Sequence, residues 1–523
     1  MGLLLALLAV TLAGSVAVFL TKGSRNARNL ALTISFAPLV ASLWMLLAVP
    51  FGRNALDVDS FAFYETHPWI PALGANLTFG VDGLAAPMVF LTALLTTLAI
   101  LFHWTEENRA PQFFGLFLLL EFALLGVFTA LDYLVFYVFW ELVLVPMFFL
   151  IAIWGGLNRK YAAVKFLLYT FLASLVMLLG IIALYFEAFP AGQRTFDVLA
   201  IANQNETFGR VFQNLVFGAL FVGFAVKMPM VPFHTWLPDA HVQAPTGGSA
   251  VLAGVMLKMG AYGLLRMAWP TLPIGMDTWM PVLLALAITS MLWAAFVALA
   301  QRDLKSMIAY SSISHMGAVL LGFATLTPIG LVGGQFMMFA HGLISPALFM
   351  SAGVIHHLTG TRNIDELGGV AKAMPKFATI TMFAFMASLG LPGLAGFVAE
   401  VLIFVGTWRA FGWLILLPAL AVPLTAGYYL YAAKRAFFGP LNPKYGVAVK
   451  HAGETHAVPA GGSSEEGQPF PVGATHDIAW YEHAAMILLT VGFVIWGVWP
   501  NFGGLTDMMN EAATQVLRTM GVL

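Results

Sequence analysis

Residues 219–245 read ALFVGFAVKMPMVPFHTWLPDAHVQAP. A run apolar enough to dissolve in lipid takes up Lys227 and then meets Pro229, Pro232, Pro238 and Pro245. Pro229 and Pro232 remove amide donors and clash with the preceding turn, so the helix carrying Lys227 must kink or unwind just past it, leaving free carbonyls. Such backbone is tolerated at membrane depth only where it lines a wet cavity or is buried in protein. A second interruption, LGLPGLAGF at 389–397, brings Gly390, Pro392, Gly393 and Gly396, and Glu400 follows it. Two Gly/Pro-interrupted spans at corresponding places, five spans apart, point to an inverted-repeat transporter.

The composition agrees with a life in lipid. Of 523 residues 60% are hydrophobic and 9% charged, against about 25% charged in soluble domains. The net charge of -1 gives no reason to expect nucleic acid as a partner. The chain has no cysteine, which excludes disulfides, thiolate zinc sites and cysteine-ligated iron–sulfur clusters. Electron transfer inside this chain would therefore need haem, flavin or quinone. The opening MGLLLALLAVTLAGSVAVFL has no positive n-region, and Lys22, Arg25 and Arg28 follow it, so a retained first span is expected rather than a cleaved leader.

Since a helix needs about 20 apolar residues to cross hydrocarbon, marking such runs predicts about fourteen spans. Their cores are 2–20, 29–49, 83–102, 112–131, 133–154, 162–186, 208–228, 246–267, 279–300, 306–326, 329–356, 376–408 with a break, 411–433 and 483–503. Alternating strand patterns are nearly absent, so the expected fold is an all-α polytopic membrane protein with discontinuous helices. The loops after odd-numbered spans hold most of the Lys and Arg, among them Lys22, Arg109, Arg159, Lys165, Lys305, Arg362 and Lys444. The other side has Arg53, Arg194, Arg210, Arg266, Arg409 and Arg518. The positive-inside rule then makes the richer side cytoplasmic and puts both termini outside. The 50–82 loop, bearing Trp and Tyr, is expected at the outer interface, and the hydrophilic 439–482 segment reads as a cytoplasmic linker loop.

Two lysines, Lys227 and Lys258, fall inside spans on this count, together with Glu141 and Glu400. Each costs at least about 2.5–3.5 kcal/mol at a span centre and so needs a reason. Glu121 is a fifth such charge, although a lone carboxyl can sit there protonated or bonded to a hydroxyl. His234 and His241 flank WLPDA, while His315 and His341 occupy successive spans, where imidazole is the usual proton relay. His356 and His357 lie at a span end and are expected at the interface. A Glu–Lys pair at 4 Å gains roughly 4 kcal/mol at an effective dielectric of 20, about three pKa units. Making or breaking a Glu141–Lys227 pair would thus decide whether Lys227 holds its proton or passes it toward Lys258.

FWELVLVPMFFLIAIWGG, KMPMVPFHTWLPDAHVQAPTGGSAVLAGVMLKMGAYGLLR, RDLKSMIAYSSISHMG and LPGLAGFVAEVLIF together resemble the M-type antiporter-like subunits of proton-pumping NADH:quinone oxidoreductase, respiratory complex I. The resemblance runs collinearly over roughly 83–435. It implies three N-terminal helices in 1–110, one inverted five-helix repeat in 111–270 and a second in 279–438, with a last span and tail in 483–523. It also implies proton translocation along a hydrophilic axis, coupled to electron transfer in other subunits. Glu141 and Lys227 would be the coupling ion pair, Lys258 the central carrier, His315 and His341 the connecting relay and Glu400 the terminal site. His234, His241 and Glu121 are additional relay candidates. No cofactor or metal is expected in this chain. The implied partners are L- and N-type antiporter-like subunits, the lateral helix of the L-type subunit, and lipid, in a bacterial plasma membrane. Glu400 favours the M type, since similar L- and N-type subunits typically carry lysine there, and the chain ends soon after its last span.

Three other readings compete. A D-type subunit of a multisubunit cation/proton antiporter looks similar and differs in the company it keeps. A haem electron carrier needs paired imidazoles on facing helices, and His341 and His356 are the only same-helix pair of suitable spacing. A purely structural membrane spacer would leave the intramembrane lysines without a task.

Overall fold

The computed structural model describes residues 2–48, 58–440 and 478–523. Nearly all of the predicted 439–482 loop, with Lys444, lies outside the described residues, as does Arg53.

Helix after helix starts where the sequence supplies a cap. Asp132 accepts from the amides of Leu134 and Val135 to start Tyr133–Leu142, and Asp303 accepts from Ser306 N to start Leu304–Ala324. Pro273, Pro328 and Pro375 each occupy the first helical position, where a missing N–H costs nothing. Among the described residues, eleven segments are long and apolar enough to cross a membrane, and Leu3–Phe19 and Ala86–Phe102 are shorter apolar helices. The prolines inside the helices Ser24–Ala48, Pro273–Leu299 and Pro328–Thr359 do not end them.

Both predicted interruptions are present. The first helix, Arg210–Lys227, stops at the lysine, and Trp236–Gln243 resumes beyond an irregular segment. The freed Val226 carbonyl accepts from the Trp236 indole at 3.0 Å, and Val231 N donates to Ser290 Oγ at 2.9 Å. The second pair is Pro375–Ser388 and Ala395–Phe411. At this break Gly390 has φ +81°, a conformation that a side chain resists.

Burial sorts the helices. Arg159–Glu187 and Pro273–Leu299 present Leu168, Leu172, Leu179, Trp293 and Phe296 outward, as lipid-facing surfaces do. Thr246–Ala268, Leu304–Ala324 and Pro328–Thr359 are buried along nearly their whole length. These central helices carry Lys258, His315 and His341.

The 50–82 segment corrects the expectation of a plain loop. Ala62–Ile70 (β1) and Ala75–Val81 (β2) form an antiparallel hairpin, with Thr66 opposite Thr78 and Glu65 opposite Phe79. The signal was present in AFYETHPWI, nine residues of mixed aromatic and β-branched character, but the search for long apolar runs passed over it. Glu65 Oε1 accepts from Leu5 N at 2.8 Å and so caps the first helix. The tail expected after the last span is itself a helix, Leu505–Thr519, with Leu505, Met509 and Ala513 buried.

The side-by-side count of loop cations also needs correction. Arg266 is buried, 1% exposed, and pairs with Asp82 at 2.5 Å. Asp82 also caps the next helix through Leu84 N and Ala85 N. Lys305 is buried as well, inside Leu304–Ala324, and Lys165 bonds Asp239 at 2.6 Å.

Removing one member of a buried ion pair typically costs about 3–5 kcal/mol, because the other charge is stranded. Arg266→Met should therefore lower thermal stability in detergent sharply, and adding Asp82→Asn should restore much of the loss. A single variant as stable as the parent would show that the pair contributes nothing.

Asp132, in the loop before Tyr133, yields a second test. Its carboxylate accepts from three backbone amides, those of Leu134, Val135 and Asn76, yet burial outweighs them and raises its pKa to about 6, with Asp197 adding repulsion. A raised carboxyl pKa means that the folded state binds the proton more tightly than the unfolded state. Its contribution is full below about 4 and is lost as pH rises through about 6. Asp132→Asn keeps the cap and should flatten stability between these pH values. An unchanged pH profile in thermal melts would refute the assignment.

Candidate proton-transfer site

Lys258 lies between two π-helical turns, Leu252–Met256 and Leu264–Ala268. Such turns loosen the ladder at functional positions. Its ammonium folds back onto the Ala253 carbonyl and meets His341 Nδ1 at 2.8 Å. Close helix approach permits this contact: a Cβ on Gly342 would stand 3.1 Å from the Gly254 carbonyl and 2.5 Å from Leu91. His341 Nε2 has no hydrogen-bond partner.

The next imidazole follows directly. The His315 and His341 rings are 5.4 Å apart, centre to centre. His315 places Nδ1 2.8 Å from Ser311 O and Nε2 3.1 Å from Ser388 O. Both neighbours are acceptors, so only a ring with N–H on both nitrogens satisfies them together. Hydroxyls brace this corner: Ser388 Oγ donates to Tyr429 Oη at 2.8 Å, and Tyr429 donates to Ser311 Oγ at 2.9 Å. Beyond His315 a small cavity, lined by Ser314, Thr425 and Glu400 among others, has about 20 Å³ for water centres. That is room for about one water. Glu400 is cradled by the second break, since a Cβ on Gly390 would stand 2.3 Å from its Oε2.

Lys258, His341, His315 and Glu400 are therefore one chain of neighbours. Glu141 and Lys227 make no ion pair among the described residues. Glu141 bonds Ser174, while Lys227 Nζ has no hydrogen-bond partner and lies 5.3 Å from the Trp140 ring. The pair implied by the resemblance is present here with its members apart.

The additional candidates divide. His241 is fully buried, stacked on Phe349 at 4.4 Å, with both ring nitrogens unpartnered, and within electrostatic reach of Lys258. His234 stands apart, near Tyr310 and the Lys165–Asp239 pair. Glu121 is fully buried in Ala110–Thr129, and neither carboxyl oxygen has a partner. His356 and His357 are exposed at the end of their helix, as expected.

Three features went unseen in the sequence. Lys305 had a usable signal, since it follows the capping Asp303 by two residues and so belongs to the helix, not the loop. Arg266, eight residues after Lys258, shares its helix face, but its partner Asp82 is far away in sequence and carries no local mark. The Ser311–Tyr429–Ser388 hydroxyls are ordinary residues until the fold brings them together.

Comparison with known proteins identifies the family. The profile of the family described as NADH:quinone oxidoreductase/Mrp antiporter, TM, matches residues 130–425. Subunit M of F(420)H(2) dehydrogenase from Methanosarcina mazei is 45% identical, covering 84% of this chain and 88% of its own length. NADH-quinone oxidoreductase subunit M from Rhodobacter capsulatus is 42% identical, with 82% and 85% covered. A chain of respiratory complex I from Thermus thermophilus superposes with a TM-score of 0.82 at 29% identity, over 98% of this chain and 100% of that one. A chain of the Mrp complex from Dietzia sp. shares the fold alone, with a TM-score of 0.82 at 22% identity over 99% and 100%. The chain thus belongs to the NADH:quinone oxidoreductase/Mrp antiporter transmembrane family.

Proposed function

We propose that this chain is the M-type antiporter-like subunit in the membrane arm of a proton-translocating NADH:quinone oxidoreductase. The observation that carries the reading is the line of buried Lys258, His341 and His315 leading to half-buried Glu400, with a water-sized cavity before its last member. Lys258 is the central carrier, the two histidines pass the proton on, and Glu400 is the terminal acid. Glu141 and Lys227 form the switch: joined, they hold charge on Lys227, and parted, they let it discharge toward Lys258. No cofactor belongs to this chain, and electron transfer in other subunits supplies the energy.

On this reading the broken helices count as single crossings, so the helices make fourteen spans, with inverted repeats in 111–270 and 279–438. The cation-rich loops face the cytoplasm, the termini face outward, and the host is a bacterial plasma membrane. L- and N-type subunits and the lateral helix of the L-type subunit are its neighbours, with lipid around them. A D-type antiporter subunit would share the fold, but relatives at 45% and 42% identity are M subunits of dehydrogenases. Copurified companion chains separate the two readings.

In inverted vesicles energised with NADH, Lys258→Met and Glu141→Gln should each lower protons moved per quinone reduced by about tenfold or more, the lower range for loss of a positioned acid or base. Assembly of the complex should be unaffected. A normal ratio in both variants would remove the proton-carrying role and leave a structural spacer.

A further inference from the structure

The second corner of the first broken helix, between Gln243 and Thr246, is held from three sides. Arg362 Nη1 donates to Val242 O at 2.8 Å, Gly156 N to Gln243 O at 2.9 Å, and Lys305 Nζ to Ala244 O at 2.9 Å. A backbone amide suffices for one of these carbonyls and an ion-paired arginine for another, since Arg362 also bonds Asp303 at 3.2 Å. Lys305 is different. It is 4% exposed, and its ammonium has three donors but, among the described residues, this one hydrogen bond. A clamp alone would not require burying such a charge, which is costly without a partner.

Its surroundings suggest another use. His103, His241 and His356 all lie within electrostatic reach of Lys305, as do Asp303 and Arg362. His241 is also within reach of Lys258 and His341. On the other side of the same corner, Pro245 forms one wall of a cavity of about 440 Å³, whose other walls include Glu106, Asn108, Arg109 and Arg159. Polar walls and this volume suit water. Lys305 is thus bonded to the residue next to Pro245, which lines this pocket, and lies within electrostatic reach of His241, whose two ring nitrogens have no hydrogen-bond partner among the described residues.

We propose that Lys305 is the proton-uptake residue of this subunit, drawing on the pocket at Pro245 and delivering through His241 to Lys258. The inference rests on the proton-translocation reading above. The neutral amine of Lys305 takes a proton from pocket water, which regains one from the bulk aqueous phase, so that the net step is amine plus an aqueous proton giving ammonium. It then gives an N–H proton to the unprotonated ring nitrogen of His241, directly or through one water, and returns to the neutral amine. His241 releases the proton from its other nitrogen toward Lys258. No electrons move and no bond other than N–H and O–H changes.

The test uses the assembled complex in inverted vesicles energised with NADH, reading protons moved per quinone reduced, with Lys258→Met as reference. Lys305→Arg keeps the cation and a donor for Ala244 O but cannot release a proton. It is expected to lower the ratio about tenfold or more. A parental ratio in Lys305→Arg beside an inactive Lys258→Met overturns this inference alone, whereas a normal Lys258→Met overturns the wider reading. Should the arginine variant fail to assemble, Lys305→Cys serves in its place, since the chain has no other cysteine. Modification with aminoethyl methanethiosulfonate attaches a titratable amine, and the trimethylammonium analogue attaches a fixed charge. Recovery with the amine reagent only supports proton carriage. Equal results with both reagents overturn it.

Discussion

The contact between Lys258 Nζ and His341 Nδ1 is the constraint around which the rest of the structure is arranged. Two bases at 2.8 Å can share one excess proton comfortably. A second positive charge at that distance is opposed by roughly 6 kcal/mol at an effective dielectric of 20. On the proposed reading the pair would hold a single proton. No carboxylate touches either group among the described residues, so a charge placed there has no fixed counterion. It is held at a cost and tends to move on.

That constraint explains the positions of the most buried helices. A charge shared in this way must be kept from lipid, and the three helices at the centre do so along nearly their full length. It also explains the breaks. A continuous helix has no spare carbonyls, whereas the interruptions supply turning points where Gly390 cradles Glu400 and the Ala244 carbonyl receives Lys305. The disrupted backbone is not left bare: the Trp236 indole and the Ser290 hydroxyl take up what the first prolines release.

Much of this was legible in the sequence, for a physical reason. Charges and prolines inside apolar runs are costly, so Lys227, Lys258, Glu400 and both breaks stood out against a uniform background. The order of the site residues along the chain is not their order in space, since His341 stands between Lys258 and His315. What could not be read was pairing across distance. Asp82 finds Arg266, and Tyr429 bridges Ser311 and Ser388, through packing that no local pattern announces. The hairpin was missed because its strands are short and half-buried, and Lys305 because counting loop charges assigns a residue near a helix start to the wrong environment.

The parted Glu141 and Lys227 bear on how such a path can do work. Moving one charge against 100 mV needs about 2.3 kcal/mol, and forming or breaking an ion pair at 4 Å supplies roughly 4 kcal/mol. A switch of that size can raise a proton against the membrane potential only if the lysine has nothing else to hold its charge when the acid leaves. Among the described residues the Lys227 ammonium has no hydrogen-bond acceptor; the face of Trp140 lies 5.3 Å away, and Glu141 remains within electrostatic reach. A cation–π contact of this kind is worth about 2 kcal/mol when desolvated, less than the ion pair. Glu141 keeps Ser174 as an alternative partner, so its carboxyl can leave Lys227 without being stranded. On the proposed reading this asymmetry would give the pair a direction, with the base losing more than the acid when the two part and the proton being the particle released.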